Sequence, residues 1–351
     1  MSIVGARPQF IKLAPFSAEV RRQGHRETIV HTGQHYDEGM SARFFEELQI
    51  SEPDVNLGVG SGSHGSMTAR ALEGIEREVV RWKPDMVVVF GDTNSTLAGA
   101  LAAVKLHVPC AHVEAGLRSF VREMPEEINR IVADHCADLL LAPNDVAMAN
   151  LSREGIGDRA VLVGDIMVDA LYSVRERMPD ASAVLTRLGI EPVPYLLLTV
   201  HRASNTDDPA RLAAILDGLL DGPPAIFPVH PRTRKAMEAQ GLTLPANVRT
   251  VDPLGYMEVV ALQSSALAVV TDSGGLQKEA YLLETPCITL REETEWVETV
   301  ELGWNVLVGA DKTAIAAAIA NPPRGRTHPA VYGDGTAAKS MVRTIAERFG
   351  A

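Results

Sequence analysis

At 351 residues the chain exceeds the usual size of a single domain, so two domains of roughly 150–200 residues, each able to bury a core, are the expectation. With 46% apolar and 22% charged residues the composition excludes a disordered or low-complexity chain, and a net charge of −12 argues against nucleic acid as a partner while leaving room for one local anion pocket. Three scattered cysteines without a C-x-x-C pair exclude a disulfide framework or thiolate zinc site, and no apolar run nears the ~18–20 residues of a membrane span; a cytoplasmic enzyme without membrane insertion is expected.

Short β-branched runs alternate with longer amphipathic segments, the pattern of parallel sheets covered by helices on both faces. Strands are expected in the first half at Ser2–Val4, Glu27–His31, Met86–Phe90, Cys110–Val113 and Leu139–Ala142. In the second half they fall at Tyr195–Val200, Ala225–Val229, Val248–Val251, Ala268–Thr271, Cys287–Leu290 and Asn305–Val308. The expected fold class is therefore α/β, with two doubly wound Rossmann-like domains facing across a cleft. Residues 1–165 form the first and 166–335 the second, and a terminal helix over 336–351 folds back on the first. Ligands of such sheets lie at the carboxyl ends of the strands.

The chemistry-bearing residues cluster at those ends. Gly5-Ala6-Arg7-Pro8 follows the first strand and opens a helix carrying Lys12, either as an anion site or as a turn with two solvated cations. Gly91-Asp92-Thr93 follows the third expected strand, where Asp92 either caps a helix or faces the cleft. Glu114 ends the next strand, and Pro125-Glu126-Glu127 begins a helix. Three acids from separate elements would repel one another and favour proton transfer, unless Arg118 and Arg130 pair with them. In the second half, His201-Arg202 and His230-Pro231-Arg232 offer cationic donors at strand ends, with no spacing suited to a metal. Thr271-Asp272-Ser273-Gly274-Gly275 turns a buried strand directly into a helix, leaving outward N–H groups at the positive end of its dipole as a phosphate seat. Glu279, one to two turns on, is placed to meet a sugar hydroxyl, and a nucleoside diphosphate fits both.

In this order, Gly-Asp-Thr, His-Val-Glu-Ala-Gly-Leu-Arg (112–118), Pro-Glu-Glu-x-Asn-Arg (125–130) and Thr-Asp-Ser-Gly-Gly resemble the non-hydrolysing UDP-N-acetylglucosamine 2-epimerases over nearly the whole chain. The resemblance implies a GT-B arrangement, no cofactor or metal, a UDP-sugar substrate and a homodimer. It also implies that Arg7 and Lys12 contact the nucleotide sugar, that Ser273, Gly274 and Gly275 hold the diphosphate, and that Glu279 holds the ribose. Asp92, Glu114 and Glu126 match the family's essential carboxylates and His201 its essential histidine. The implied reaction inverts C2 by eliminating UDP to a 2-acetamidoglucal and adding it back. Where the bacterial pattern has Arg-Pro-Glu, this chain has Trp296-Val297-Glu298, which removes a fixed cation and resembles the branch acting on UDP-2,3-diacetamido-2,3-dideoxy-glucuronate. The segment Gln34-His35-Tyr36-Asp37 departs from regulated members, which weakens an allosteric site built from Gln34, Arg70 and His230. A GT-B glycosyltransferase using the same seat is the alternative from another class.

Overall fold

The computed structural model describes residues 1–33 and 48–350, which divide into two compact units, one of Met1–Ser173 with the stretch from Ala330 onward and one of Val174–Pro329. In the first unit, β1 (Ser2–Val4), β2 (Ile29–His31), β3 (Val55–Asn56), β4 (Val87–Phe90), β5 (Cys110–Val113), β6 (Leu139–Ala142) and β7 (Ala160–Leu162) form a sheet. Its order is β3-β2-β1-β4-β5-β6-β7 and every pairing is parallel. The second unit repeats the plan with β8 (Leu196–Thr199), β9 (Ala225–Pro228), β10 (Val248–Val251), β11 (Ala268–Thr271), β12 (Cys287–Thr289) and β13 (Asn305–Leu307). Their order is β10-β9-β8-β11-β12-β13, again all parallel. Both sheets are doubly wound, with the strand order reversing between β1 and β4 and between β8 and β11. Ligands of open α/β sheets bind outside the carboxyl ends of the strands at such reversals.

The central strands β4, β5 and β6 are buried at every position, as the covered faces of a parallel sheet require. The helix Asn94–Lys105 lies close on this sheet because its buried face is Ala and Gly. A β-carbon on Gly99 would stand 2.7 Å from Val89 Cγ1. In the second unit Leu196, Leu198, Phe227, Val270 and Ile288 form the centre of the core against Leu212, Ile215 and Ile315. Two edge strands, β3 and β7, escape the sequence reading. Their partly exposed residues lack the continuous apolar run that marks a central strand.

The chain passes between the units at Ser173/Val174 and again at Pro329/Ala330, later than the expected break after residue 165 and before the expected one after 335. The hydrogen bonds explain why. Asp165 N donates to Tyr332 O (2.8 Å), and the Asp169 carboxylate caps the terminal helix by accepting from Ala337 N (3.1 Å) and Ala338 N (2.9 Å). The start of the helix Ile166–Arg175 therefore belongs to the first unit. Terminal helix Ala337–Phe349 packs there too, against Arg7–Arg22. On the other side, Trp304 Nε1 donates to Thr327 O (2.8 Å) and His328 Nε2 to Tyr281 O (2.7 Å), which ties the preceding strap to the second unit. Among the described residues no helix is long and apolar enough to cross a membrane.

Candidate active site

In the first unit the site grows from the turn after β1. A side chain at Gly5 would stand 2.2 Å from both Ser95 Oγ and Thr32 Oγ1, so only glycine lets this turn lie against its neighbours. Gln9 fastens it. Its Oε1 accepts from Gly5 N (2.7 Å) and Ala6 N (3.1 Å), while its Nε2 donates to Phe90 O (2.6 Å) at the end of β4. Arg7 is the first residue of the helix, and its side chain lies outside the described residues. Lys12, one turn in, is buried and ion-paired with Glu114 from the end of β5. A β-carbon on Gly91 would stand 3.0 Å from Lys12 Nζ and 3.6 Å from Glu114 Oε2, so this pair lies beside the residue preceding Asp92.

Asp92 accepts from Arg130 Nη2 (2.6 Å), and its carbonyl accepts from Asn129 Nδ2 (2.9 Å). Glu114 holds a left-handed backbone, φ 72°, which is costly for a residue with a side chain and concentrates at functional sites. Of the pairings weighed for the three acids, Arg130 takes Asp92, whereas Arg118 reaches Asp134 (2.8 Å) and Glu154 (2.7 Å) and leaves Glu114 to Lys12. Glu126 sits exposed in the first turn of the helix Pro125–Cys136. Its neighbour Glu127 is buried and builds the loop by accepting from Ser119 N (2.8 Å), Ser119 Oγ (3.0 Å) and Phe120 N (3.0 Å). Burial pushes Glu127 up, but these donors and Arg130 outweigh it and hold its carboxyl below the usual glutamate range.

In the second unit Asp272, at the end of β11, is the organising residue, a role that no local pattern in the sequence announces. Its carboxylate accepts from His201 N (3.0 Å), Arg202 N (2.9 Å) and Asn205 Nδ2 (3.2 Å), and His201 Nδ1 lies 3.1 Å away. A carboxylate only accepts, so Nδ1 carries the hydrogen and exposed Nε2 faces away from it. Burial pushes Asp272 up, yet His201 and the two backbone donors hold it below the ordinary aspartate value. Ser273 caps the helix Gly274–Leu282 by accepting from Leu276 N (3.5 Å). A β-carbon on Gly274 would meet Glu295 Oε2 at 3.6 Å, Trp296 Nε1 at 3.7 Å and Arg202 Nη2 at 3.9 Å, while Gly275 is exposed. Arg202, Glu295 and Trp296 thus ring the helix start, which no spacing in the sequence announces.

Glu279 is 3% exposed and its Oε1 accepts from Tyr256 Oη (2.9 Å). Burial raises its carboxyl to about 7 despite the opposing pull of Tyr256 and Lys278. Lys278, 1% exposed, sits 4.1 Å from the centre of the Trp296 ring. At the position where the arginine was expected to be missing, a buried cation from the helix Gly274–Leu282 thus lies against the Trp296 ring. His230 is the N-cap of the helix Pro231–Gln240, with Nδ1 accepting from Arg232 N (3.2 Å) and its ring 6.2 Å from that of His201. Arg70, in the first unit, donates to Ser61 O (3.4 Å), and Gln34 lies outside the described residues.

The family described as UDP-N-acetylglucosamine 2-epimerase has a model that matches residues 18–346. A UDP-N-acetylglucosamine 2-epimerase homolog of Methanococcus maripaludis is 48% identical over 352 residues, with 98% of each chain covered. The UDP-2,3-diacetamido-2,3-dideoxy-D-glucuronate 2-epimerase of Pseudomonas aeruginosa is 46% identical over 358 residues, with 99% of each covered. Among solved structures, UDP-GlcNAc 2-epimerase of Methanocaldococcus jannaschii, in complex with UDP-GlcNAc and UDP, is similar with a TM-score of 0.89 at 40% identity over 99% of both chains.

Proposed function

This chain belongs to the UDP-N-acetylglucosamine 2-epimerase family, whose members are isomerases of nucleotide sugars, and we propose that it interconverts UDP-N-acetylglucosamine and UDP-N-acetylmannosamine by losing and regaining UDP. The observation that carries this reading is a division of chemistry. One unit gathers Asp92 and Glu114 with their cationic partners at a strand-order reversal, and the other ends β11 in an Asp272-anchored, glycine-lined helix start with Glu279 buried beyond it.

No carbonyl flanks the C2–H bond, so C1–O cleavage has to lead. The bonding pair leaves with UDP, and the cationic centre at C1 makes the C2 proton removable by a carboxylate, which gives 2-acetamidoglucal. In return, a UDP oxygen bonds to C1 and a proton is delivered to the opposite face of C2. Ser273, Gly274 and Gly275 hold the departing diphosphate with backbone N–H groups, joined by His201, Arg202 and Arg7. Lys12 contacts the nucleotide sugar beside Glu114, Glu279 takes the ribose, and Asp92, Glu114 and Glu126 divide proton transfer between the two faces.

A second reading, the same inversion on UDP-2,3-diacetamido-2,3-dideoxy-glucuronate, is favoured by Trp296 stacked on Lys278 where an arginine is the rule, and by the Pseudomonas relative. Incubating the protein with each UDP-sugar in heavy water and reading the products by proton and phosphorus NMR tests both. The expected product is an intact UDP-sugar carrying deuterium at C2. An epimer without label sinks the elimination route, and free UDP with a free sugar sinks the non-hydrolysing one.

The protein is further read as a cytoplasmic homodimer. The helix His64–Trp82 exposes Val80 at 58% beside Leu72, Glu73, Glu76 and Arg77. Antiparallel pairing of two copies would cover the apolar residues and set Arg77 against the other copy's acids. Sedimentation equilibrium should give a dimer for the native chain and a monomer for Val80→Arg, and a native monomer refutes the pairing.

A further inference from the structure

We propose that Tyr256 is a positioning residue for nucleotide recognition, its hydroxyl pinning one oxygen of Glu279 so that the other is presented to the ribose hydroxyls. The inference rests on reading the second unit as a uridine diphosphate seat. Its ground is an asymmetry within one carboxylate. Oε1 accepts from Tyr256 Oη at 2.9 Å, whereas Oε2 is buried and, among the described residues, has no hydrogen-bond partner. A buried carboxylate oxygen left unmatched is costly, and a donor that completes its set recovers that cost.

The surroundings narrow what that ligand is. Glu279 lies beyond the Ser273–Gly275 turn on the same helix, so a nucleotide with its phosphates at that turn would bring its sugar toward it. Tyr256 begins the helix Tyr256–Ser265, and its phenol, also buried, is raised well above its usual value by burial and by Glu279, so it acts as a donor throughout the working range. Of the other charged groups, Lys278 acts on Glu279 from its own helix. Glu258 accepts from Gly255 N and pairs with Arg187, Asp272 is taken by His201 and Arg202, and Glu295 pairs with Arg291. Each of those acids is engaged elsewhere, which leaves Glu279 Oε2 as the acceptor that a vicinal diol would satisfy.

A pH signature follows from the same geometry. Ribose hydroxyls donate to the carboxylate form, while Glu279 in the free protein titrates at about 7. Binding therefore selects the ionised form and releases protons near and below that pH. Removing the Tyr256 hydroxyl removes a donor that favours the anion, so the pH at which the diol contact is lost moves upward.

The test compares UDP with 2′,3′-dideoxyuridine diphosphate on the full chain between about pH 6 and pH 8.5. Titration of the terminal phosphate is common to both ligands and cancels in the ratio of affinities. In the native protein UDP should bind roughly tenfold to a hundredfold more tightly at the upper pH, with the ratio shrinking as pH falls through about 7. Tyr256→Phe should cut the ratio several-fold and shift its midpoint upward. A tyrosine needed only for packing would weaken both ligands equally and leave ratio and midpoint unchanged, which overturns the proposal. Calorimetry of the native protein in buffers of different ionisation enthalpy gives a second measure that does not depend on the variant's folding. UDP should release more protons than the dideoxy compound at about pH 7, and equal release overturns the assignment. A native protein that binds neither diphosphate overturns the reading of the seat itself, and this inference with it.

Discussion

Glu114→Gln is expected to lower kcat by roughly 10³-fold while leaving UDP affinity within about threefold of the native value. Proton transfer by a positioned carboxylate contributes on the order of 10²- to 10⁴-fold, and the amide keeps the shape of the side chain but takes no proton. The split between kcat and affinity follows from where the groups lie. Glu114 belongs to the first unit and pairs with Lys12, whereas Ser273, Gly274 and Gly275 belong to the second. The same variant should lose deuterium incorporation at C2 in step with turnover. Some loss of stability is also expected, because Lys12 then keeps its buried place opposite a neutral partner. Thermal unfolding measured alongside the kinetics separates that effect. A variant that stays folded and turns over within tenfold of the native rate removes Glu114 from the proton-transfer set.

The strained backbone at Glu114 makes this test sharper than the equivalent change at Asp92. A residue at φ 72° is held by its surroundings, here with Glu114 N and Ala115 N both donating to Leu141 O at 3.1 and 3.2 Å. Gln bears the same backbone cost as Glu, so the substitution isolates the carboxylate. Asp92→Asn, by contrast, disturbs a partly exposed ion pair with Arg130, which also holds Glu127 and through it the loop at Ser119.

What could be read from the sequence and what could not have separate physical causes. Central strands such as Cys110–Val113 and Ala268–Thr271 are legible because both faces are covered and the run is continuously apolar. The strand-to-helix turn at Ser273 is legible because it is local, with strand, cap and glycines adjacent in the chain. Partnerships across the fold are not. Lys12 and Glu114 lie 102 residues apart, and nothing local says that Glu114 prefers Lys12 to nearby Arg118. The adjacent acids Glu126 and Glu127 look alike as letters, yet helix phase exposes one and buries the other in a loop-capping role. From the sequence, Trp296 reads only as the absence of an arginine. That the Trp296 ring lies against the buried Lys278 depends on the packing of the helix Gly274–Leu282.

Asp134→Ala should destabilise the first unit by roughly 3–5 kcal/mol, the cost of breaking a buried charged network by removing one partner. Asp134 is fully buried and accepts from His112 Nδ1 (2.6 Å), Arg118 Nη1 (2.8 Å) and Gly116 N (3.1 Å). Truncation strands the buried Arg118 guanidinium with Glu154 as its remaining acid, and frees the backbone at Gly116, whose φ of 84° and contact with Ala147 O admit no side chain. Because His112 Nε2 also donates to Gly91 O (2.7 Å), the loss spreads to the turns carrying both Asp92 and Glu114, so activity should fall although the network touches no substrate. Burial pushes the Asp134 carboxyl up, but His112 and Arg118 outweigh it and hold it below its ordinary value. A depressed aspartate stabilises above its unfolded value, near about 4, and loses that contribution as pH falls through the lowered folded one. The gap in unfolding free energy between native protein and variant should therefore be full at neutral pH and narrow below about pH 4. Urea unfolding at neutral and acidic pH, followed by a probe in the first unit, measures it. A gap under about 1 kcal/mol at neutral pH would show that Glu154 alone satisfies Arg118, and that the His112–Asp134 link is dispensable to the turns that hold the acids.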